Sequence, residues 1–469
     1  MSVLIIGGGI CGLGTALLLA RDGHDVTVLE HDHDPVPHSL SAAWDAWARK
    51  GVPQFRQPHN FMPGLRLILE AELPDVQDAL RTAGAGRFDL VHPLPPSLLD
   101  QSPRPIDDKL WTLTARRPVG EYVFATAAER EPRVTIRRGA RVAALIAGAS
   151  ASPGTPHVVG VRTADGEALH ADLVVDASGR QSRAPQWLQA IGARPPYEEQ
   201  SDSGFVYYTR YFVGDEPQRR GPTLTPIGTM SILTLPGDNG TWSVTVFTAA
   251  GDQPLKNLRH ETCWTNAVRA CPLHAHWLNG EPTTGILAMS GIVDRYRRFV
   301  VDGAPVVTGF VAVADAWACT NPSAGRGLTV GFMHALRLRD AIREAAGDPR
   351  TVVEGFDRRT EAGITPWYHA QIAIDRARFA EMEALREGRE PPATDGLARA
   401  IGQLLGAMAV DPELYRCALE YVGTLTPAQA ILARDGVPEA IAAARAVLKE
   451  APPPRIPGPN RQQLLDLMN

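Results

Sequence analysis

The sequence predicts an α/β protein: a Rossmann-like nucleotide-binding domain, an inserted antiparallel sheet and a helical C-terminal region. Three observations predict it. The first thirty residues read strand, glycine turn, helix and strand. The apolar run Leu173, Val174, Val175 ends in Asp176, as a strand buried on both faces does. From Ser203 to Val300 the texture changes to short alternating strands joined by Gly, Asp and Asn turns.

Taken in order, Val3 to Ile6 forms the first strand, and Gly7 to Gly12 follows in the pattern G-x-G-x-x-G. Leu13 to Arg21 is helix-forming, and Val26 to Leu29 leads into Glu30. Trp44 to Lys50 is helical in pattern, and Gly51 to His59 is a loop. Phe61 to Leu80 is helical, with Leu65, Ile68, Leu69 and Leu73 on one face. Prolines from Pro93 to Pro105 break regular structure. A helix opens at Arg116, Arg117 and Pro118 and runs to about Arg130, its proline tolerated in the first turn. Val134 to Arg138, Val142 to Leu145 and Val158 to Arg162 read as strands, with a small-residue hairpin loop from Ala147 to Pro156. In the inserted part the strands are Phe205 to Phe212, Met230 to Leu235 and Thr241 to Phe247. Pro305 to Asp315 returns to a buried strand, residues 329 to 447 are mostly helical, and the tail after 451 is expected to be extended or disordered.

A chain of 469 residues can bury a large core and hold two or three domains. Its 44% apolar and 21% charged residues are those of an ordinary globular protein. A net charge of −5 gives no reason to expect nucleic acid or an anionic membrane as partner. Five scattered cysteines without a C-x-x-C pair suit a reducing compartment. With the first strand beginning at Val3 and no run of apolar residues long enough for a membrane span, a cytoplasmic protein is expected.

The chemistry of the opening unit follows from its parts. Gly7 permits a tight turn, Gly9 lets a pyrophosphate approach the backbone, and Gly12 lets helix and strand pack closely. The helix N-terminus offers unpaired N–H groups to phosphates, and Glu30 stands where it can accept ribose hydroxyls. Three further motifs accompany it: Arg117 at a helix start with Glu121 four residues on, the turn from Asp176 to Gly179, and Ala314–Asp315 followed by Pro322, Gly325 and Gly327.

With these motifs in place, the chain resembles the FAD-dependent monooxygenase superfamily of the para-hydroxybenzoate hydroxylase type over roughly residues 1 to 345. The resemblance implies a glutathione reductase-type FAD-binding domain over 1–195 and 300–345, an antiparallel substrate-binding domain over 196–299 and a helical region over 346–469. It places the ADP half of FAD on Gly7, Gly9, Gly12 and Glu30, and the phosphate–ribityl region on Arg117, with Arg116 as second choice. It gives the ribityl chain to Asp315, and the pyrimidine edge of the isoalloxazine to the helix start at Pro322, Gly325 and Gly327. Ala314 stands where the family has glycine. The implied activity is transfer of one oxygen atom from a flavin C4a-hydroperoxide to a small organic substrate, a secondary metabolite by the family's habits. Asp176, Ala177, Ser178 and Gly179 replace the D-G-x-x-S-x-x-R of hydroxylases that bind NAD(P)H, so the electron source stays open between NAD(P)H and a partner flavin reductase.

Two other flavin activities remain open at this point. A halogenase needs a lysine between flavin and substrate, and Lys50 is the only lysine near the early loop. A reductase or dehydrogenase of the geranylgeranyl reductase-like type would need no O2 and fits the Asp176 turn. In the loop, Arg56 and His59 either contact the cofactor or belong to a surface turn. Tyr207, Tyr208, Tyr211, Trp242 and Trp264 are lining or core residues of the inserted sheet. Trp44, Trp47 and Cys11 read as packing residues. His31 with His33, and Cys271 with His274 and His276, fall short of a tetrahedral set, so no metal is expected.

Overall fold

The computed structural model describes every residue except 153, 203, 395, 452–454 and 469. A five-stranded parallel sheet organises it, in the order Phe310–Ala312, Leu173–Asp176, Ser2–Ile6, Asp25–Glu30, Val134–Arg138. The strands Ser2–Ile6, Leu173–Asp176 and Phe310–Ala312 are apolar because both faces are covered, while the edge strand Val134–Arg138 is only half-buried. The helices Ile10–Arg21, Arg117–Arg130 and Gly327–Glu344 pack on one side, where Leu17, Phe124 and Phe332 are buried. Register brings Ile6, Asp176 and Ala312 side by side at the carboxyl edge. The three motif turns therefore leave the sheet together, at the edge where open α/β sheets bind ligands.

An antiparallel sheet occupies the chain between Phe205 and Met289. Thr241–Ala249 is central, flanked by Met230–Pro236 and Phe205–Val213. One face packs on the helix Glu261–Arg269 around Trp242, Trp264 and Trp277. The other carries Phe205, Tyr207 and Phe247 toward Met382 of the helix Thr365–Arg386. Helices follow from Gly327 to Glu450, the second half forming its own core around Trp367, Leu404 and Tyr421.

Several sequence expectations need correction. The early helix covers Leu40–Asp45 and stops there, so Trp47 to Lys50 is not helical. Pro74 divides the expected long helix into Pro63–Glu72 and Pro74–Thr82, since a proline cannot donate to the preceding turn. The small-residue stretch expected as a loop is strand through Ser152 on one side and from Thr155 on the other, with shifted register between them. Ser203, where the texture of the sequence changes, lies outside the described residues. In the tail, 452–454 are likewise outside. Beyond them Arg461–Asp466 is a capped helix whose Leu464 is buried against the antiparallel sheet.

Candidate active site

Gly7 has φ +109°, and a Cβ there would lie 2.6 Å from the carbonyl oxygen of Ala177. At Gly12 a Cβ would lie 2.0 Å from the carbonyl oxygen of Gly7. Both positions exclude any side chain. Gly9 is different: it precedes the helix without a side-chain cap, and a Cβ on it would meet nothing within 4 Å. Its open face beside unpaired N–H groups is suited to an anion. Cys11 packs between Gly331 and the turn, and burial raises its thiol pKa to about 12, which leaves it no nucleophile.

Glu30 is 4% exposed and both its oxygens are engaged. Oε2 accepts from the Gly8 N–H at 3.0 Å and pairs with Arg49 Nη2 at 2.7 Å, and Oε1 accepts from the Asp32 N–H at 2.8 Å. Arg49 also reaches Asp32 at 3.1 Å, Glu121 at 3.3 Å and the Gly8 carbonyl at 3.1 Å. Glu121 in turn holds Arg117 at 2.7 Å. Arg49 thus joins three carboxylates behind the glycine turn. Nothing in the sequence singled it out. Its only local signal is a basic residue just beyond an amphipathic stretch, and its partners lie as many as 72 residues away.

Arg116 and Arg117, adjacent in sequence, diverge. Arg116 turns to the antiparallel sheet, where Asp238, fully buried, accepts from its backbone N–H and pairs with its guanidinium at 2.7 Å. Arg117 is buried in the cleft, where its charge acts on Cys11, His59 and Asp315. At the middle turn Asp176 is fully buried and saturated. It accepts from the Ser178 N–H at 2.9 Å, from the Ser178 hydroxyl at 2.5 Å and from the Ser182 hydroxyl at 2.6 Å. Burial nevertheless raises its pKa.

Asp315 follows Ala314, whose φ of +52° is the left-handed conformation that glycine adopts without cost. The Ala314 N–H donates to His334 Nδ1 at 3.3 Å, and His334 Nε2 lies 3.0 Å from the Thr360 hydroxyl. His334 is therefore neutral with its proton on Nε2, in keeping with burial lowering its pKa to about 3. The Asp315 carboxylate has no hydrogen-bond or ion-pair partner among the described residues, and burial raises its pKa. It faces Gly327 at the start of the closing helix. Pro322 begins a short turn, Gly325 has φ +65°, and a Cβ on Gly325 would meet nothing within 4 Å.

The antiparallel sheet roofs this region. Tyr207 donates from its hydroxyl to Asn321 Oδ1, and the Thr209 hydroxyl to Gln57 Oε1 at 2.9 Å. Tyr211 stacks edge-on against Trp44 at 5.1 Å. Of the five aromatics weighed from sequence, Tyr207 and Tyr211 face the cleft, while Tyr208, Trp242 and Trp264 are core of the opposite face. Trp44 lies between the guanidinium groups of Arg56, at 4.8 Å, and Arg116, at 4.3 Å. Arg56 has no ion pair among the described residues, and Asp45 is the acid whose charge acts on it. The His59 Nδ1–H donates to the Gln57 carbonyl at 2.9 Å, and the ring lines a small cavity with Pro58, Arg116, Tyr211 and Ser243. Burial, with Arg117's charge, lowers its pKa to about 3. Lys50, Lys109, Lys256 and Lys449 are all exposed. Among the described residues no group of three His, Cys, Asp or Glu is placed to hold a metal, and no helix is long and apolar enough to cross a membrane.

Residues 2–71 match the sequence model of the family described as FAD dependent oxidoreductase. The match is confined to that segment, and the likeness of the rest of the chain to solved structures is one of fold. Among curated proteins it is similar to Protein Rv3254 of Mycobacterium tuberculosis, 26% identical and covering 88% of this chain and 87% of that protein. Among solved structures it resembles PqsL of Pseudomonas aeruginosa, described as a probable FAD-dependent monooxygenase. The TM-score is 0.60 at 16% identity, with 82% of this chain and 99% of that one covered. The flavin-dependent brominase Bmp2 matches at TM-score 0.59 and 16% identity, over 96% of this chain and 99% of that one.

Proposed function

We propose that this protein is a monooxygenase that binds FAD along the carboxyl edge of the parallel sheet and oxygenates a small organic substrate beneath the antiparallel sheet. One observation carries the reading. Two uncapped helix starts, at Gly9 and Gly327, converge on the same cleft, and Gly9 and Gly325 leave open space where a side chain would stand. A diphosphate linked to a polyhydroxyl chain and a flat ring suits that set of donors with the unpaired Asp315 between them. Gly7, Gly9 and Gly12 would hold the diphosphate with Arg117 beside it, Asp315 the ribityl hydroxyls, and Pro322, Gly325 and Gly327 the pyrimidine edge. Glu30 would meet the ribose once Arg49 shares or yields its oxygen.

Bound FAD would supply the oxygen chemistry. The chain's own part is to orient and to exclude water. Tyr207, Thr209 and Tyr211 of residues 196–299, the substrate-binding part, would form the dry ceiling. Arg56 and His59 would lie near the flavin's rim, His59 as a neutral ring. A small-molecule substrate is in keeping with PqsL, which has been crystallised with 2-aminobenzoylacetate. A halogenase is disfavoured because it needs a lysine enclosed between flavin and substrate, and all four lysines are exposed. The Asp176 carboxylate is taken up by its own serines and the turn lacks the D-G-x-x-S-x-x-R pattern, which favours a partner flavin reductase as electron source.

The test is to identify the flavin released on denaturation and to follow turnover with NAD(P)H alone, with an added flavin reductase, and with O2 present or excluded. FAD, reductase dependence and incorporation of one atom from labelled O2 are expected. Turnover that persists under strict anoxia would sink the monooxygenase reading.

A further inference from the structure

The late turn is backed by a polar cluster that none of the motifs uses. Asp375, on the helix Thr365–Arg386, is 5% exposed and accepts from Gln371 Nε2 at 2.9 Å and from the Ser323 hydroxyl at 3.3 Å. Asp294, on the strand Val293–Arg298, is 3% exposed, and its Oδ1 is buried without a hydrogen-bond partner. Asn321, between them in sequence and at the start of the turn, accepts the Tyr207 hydroxyl from the antiparallel sheet. The orientation of the Gln371 amide is fixed because Arg326 donates to its Oε1 at 3.2 Å.

Neither Asp294 nor Asp375 has an ion pair among the described residues. Buried carboxylates without a cation are expensive, and two in one cluster do not both ionise readily. Burial first, and then the neighbouring Asp294, raise Asp375 to about 7, while burial raises Asp294 to about 6. The other charged or titratable groups facing the pair are Arg376 and Tyr368 from the same helix, Asp202 from the strand Tyr197–Asp202, Tyr207 from the antiparallel sheet and Cys319 beside the turn. Burial raises Tyr207, Tyr368 and Cys319 above their ordinary ranges, away from neutrality.

We infer that Asp375, resting on the FAD reading above, is a positioning residue whose protonated carboxyl clamps the 321–327 turn between the C-terminal helix and the antiparallel sheet, and that covering the turn with a dinucleotide draws a proton onto the Asp375–Asp294 pair. The face at Gly325 is open to water. A ring and diphosphate laid over it remove that water and add negative charge, and both favour the protonated carboxyl. By reciprocity, protonation of the pair favours dinucleotide binding. The step is one proton taken from solvent, with no other bond made or broken.

Flavin-free protein titrated with FAD by fluorescence quenching tests this. Between about pH 6 and about pH 8.5 the Kd should rise at least about fivefold, the ceiling for one linked proton being tenfold per pH unit. Asp375→Asn mimics the protonated form, so it should keep the low-pH affinity and lose the rise. Asp375→Leu, which removes the clamp, should bind FAD weakly at every pH. A dye in lightly buffered solution should record uptake of protons on binding at about pH 8 in the parent and none in Asp375→Asn. Should that variant fail to fold, Asp294→Asn should flatten the same profile. A parent Kd that does not change with pH, or a slope that survives in the folded Asn variants, overturns the inference. Failure to bind FAD at any pH strikes the cofactor reading instead.

Discussion

At Ala314 the chain keeps a left-handed backbone without the residue best suited to it. An alanine at φ +52° costs on the order of 1 kcal/mol relative to glycine, and the turn persists because its neighbours over-determine it. His334 accepts the Ala314 N–H from a ring held between Trp317 and Phe356. Ala314→Gly is therefore expected to raise stability by roughly 0.5–1 kcal/mol, less the entropy glycine adds to the unfolded chain, and to leave FAD binding intact. Thermal unfolding with and without FAD measures it, and a loss of stability would mean the alanine methyl packs better than its backbone is strained. Arg49 is the opposite case, a residue whose loss leaves three carboxylates behind. Arg49→Met should destabilise by about 3–5 kcal/mol, because Glu30 would remain buried without a cation and Glu121 would keep Arg117 alone. Adding Glu30→Gln to Arg49→Met should recover part of that loss. Strict additivity of the two in denaturant unfolding would argue against the pairing.

At the scale of elements, the sequence was informative wherever a rule is local. The glycine turn, the parallel strand ending in Asp176 and the helix opened by Arg117 all follow from patterns a few residues long. The misread elements had weak local rules: small residues from Ala147 to Pro156 suit a loop or a strand equally, and pairing across the hairpin decides. Arg49, Asp294 and Asp375 were illegible for a different reason, since their partners are set by long-range closure. The tail shows the same limit. Its helix Arg461–Asp466 is held by two bonds from Arg461 to Asp252, at 2.5 and 2.8 Å, and by buried Leu464. Asp252 is nearly inaccessible, so this ion pair is a mostly buried one whose breakage leaves a charge stranded. Arg461→Ala should loosen the tail and cost about 2–4 kcal/mol. Faster proteolytic cutting after residue 450, before any in the parallel-sheet region, is the expected sign.

Across the whole molecule, two populations of acids set the response to pH. Asp22, Asp75 and Asp107 are held below their ordinary range by paired arginines, most clearly Arg343 on Asp22 and Arg21 on Asp75. Their stabilisation is present above the unfolded carboxylate pKa and is lost as pH falls through the folded one. Asp176, Asp294, Asp315 and Asp375 are raised by burial. For these the sign reverses: the folded state holds the proton more tightly, so their contribution is full below about pH 4 and is lost as pH rises toward their folded values. For Asp294 and Asp375 that window closes at about 6 and about 7. The flavin-free protein should therefore be most stable on the acid side of neutrality, around pH 5, and should weaken between there and about pH 7. Asp375→Asn removes one such slope from that window. Its stability relative to the parent should rise with pH and level off above about pH 7, at a gain of no more than about 4 kcal/mol. Urea unfolding of both proteins across the range gives the difference directly, in which every unaltered acid cancels. A difference that falls with pH would mean that Asp375 is ionised in the folded protein, with a cation supplied by a rearranged Arg376 or Arg326.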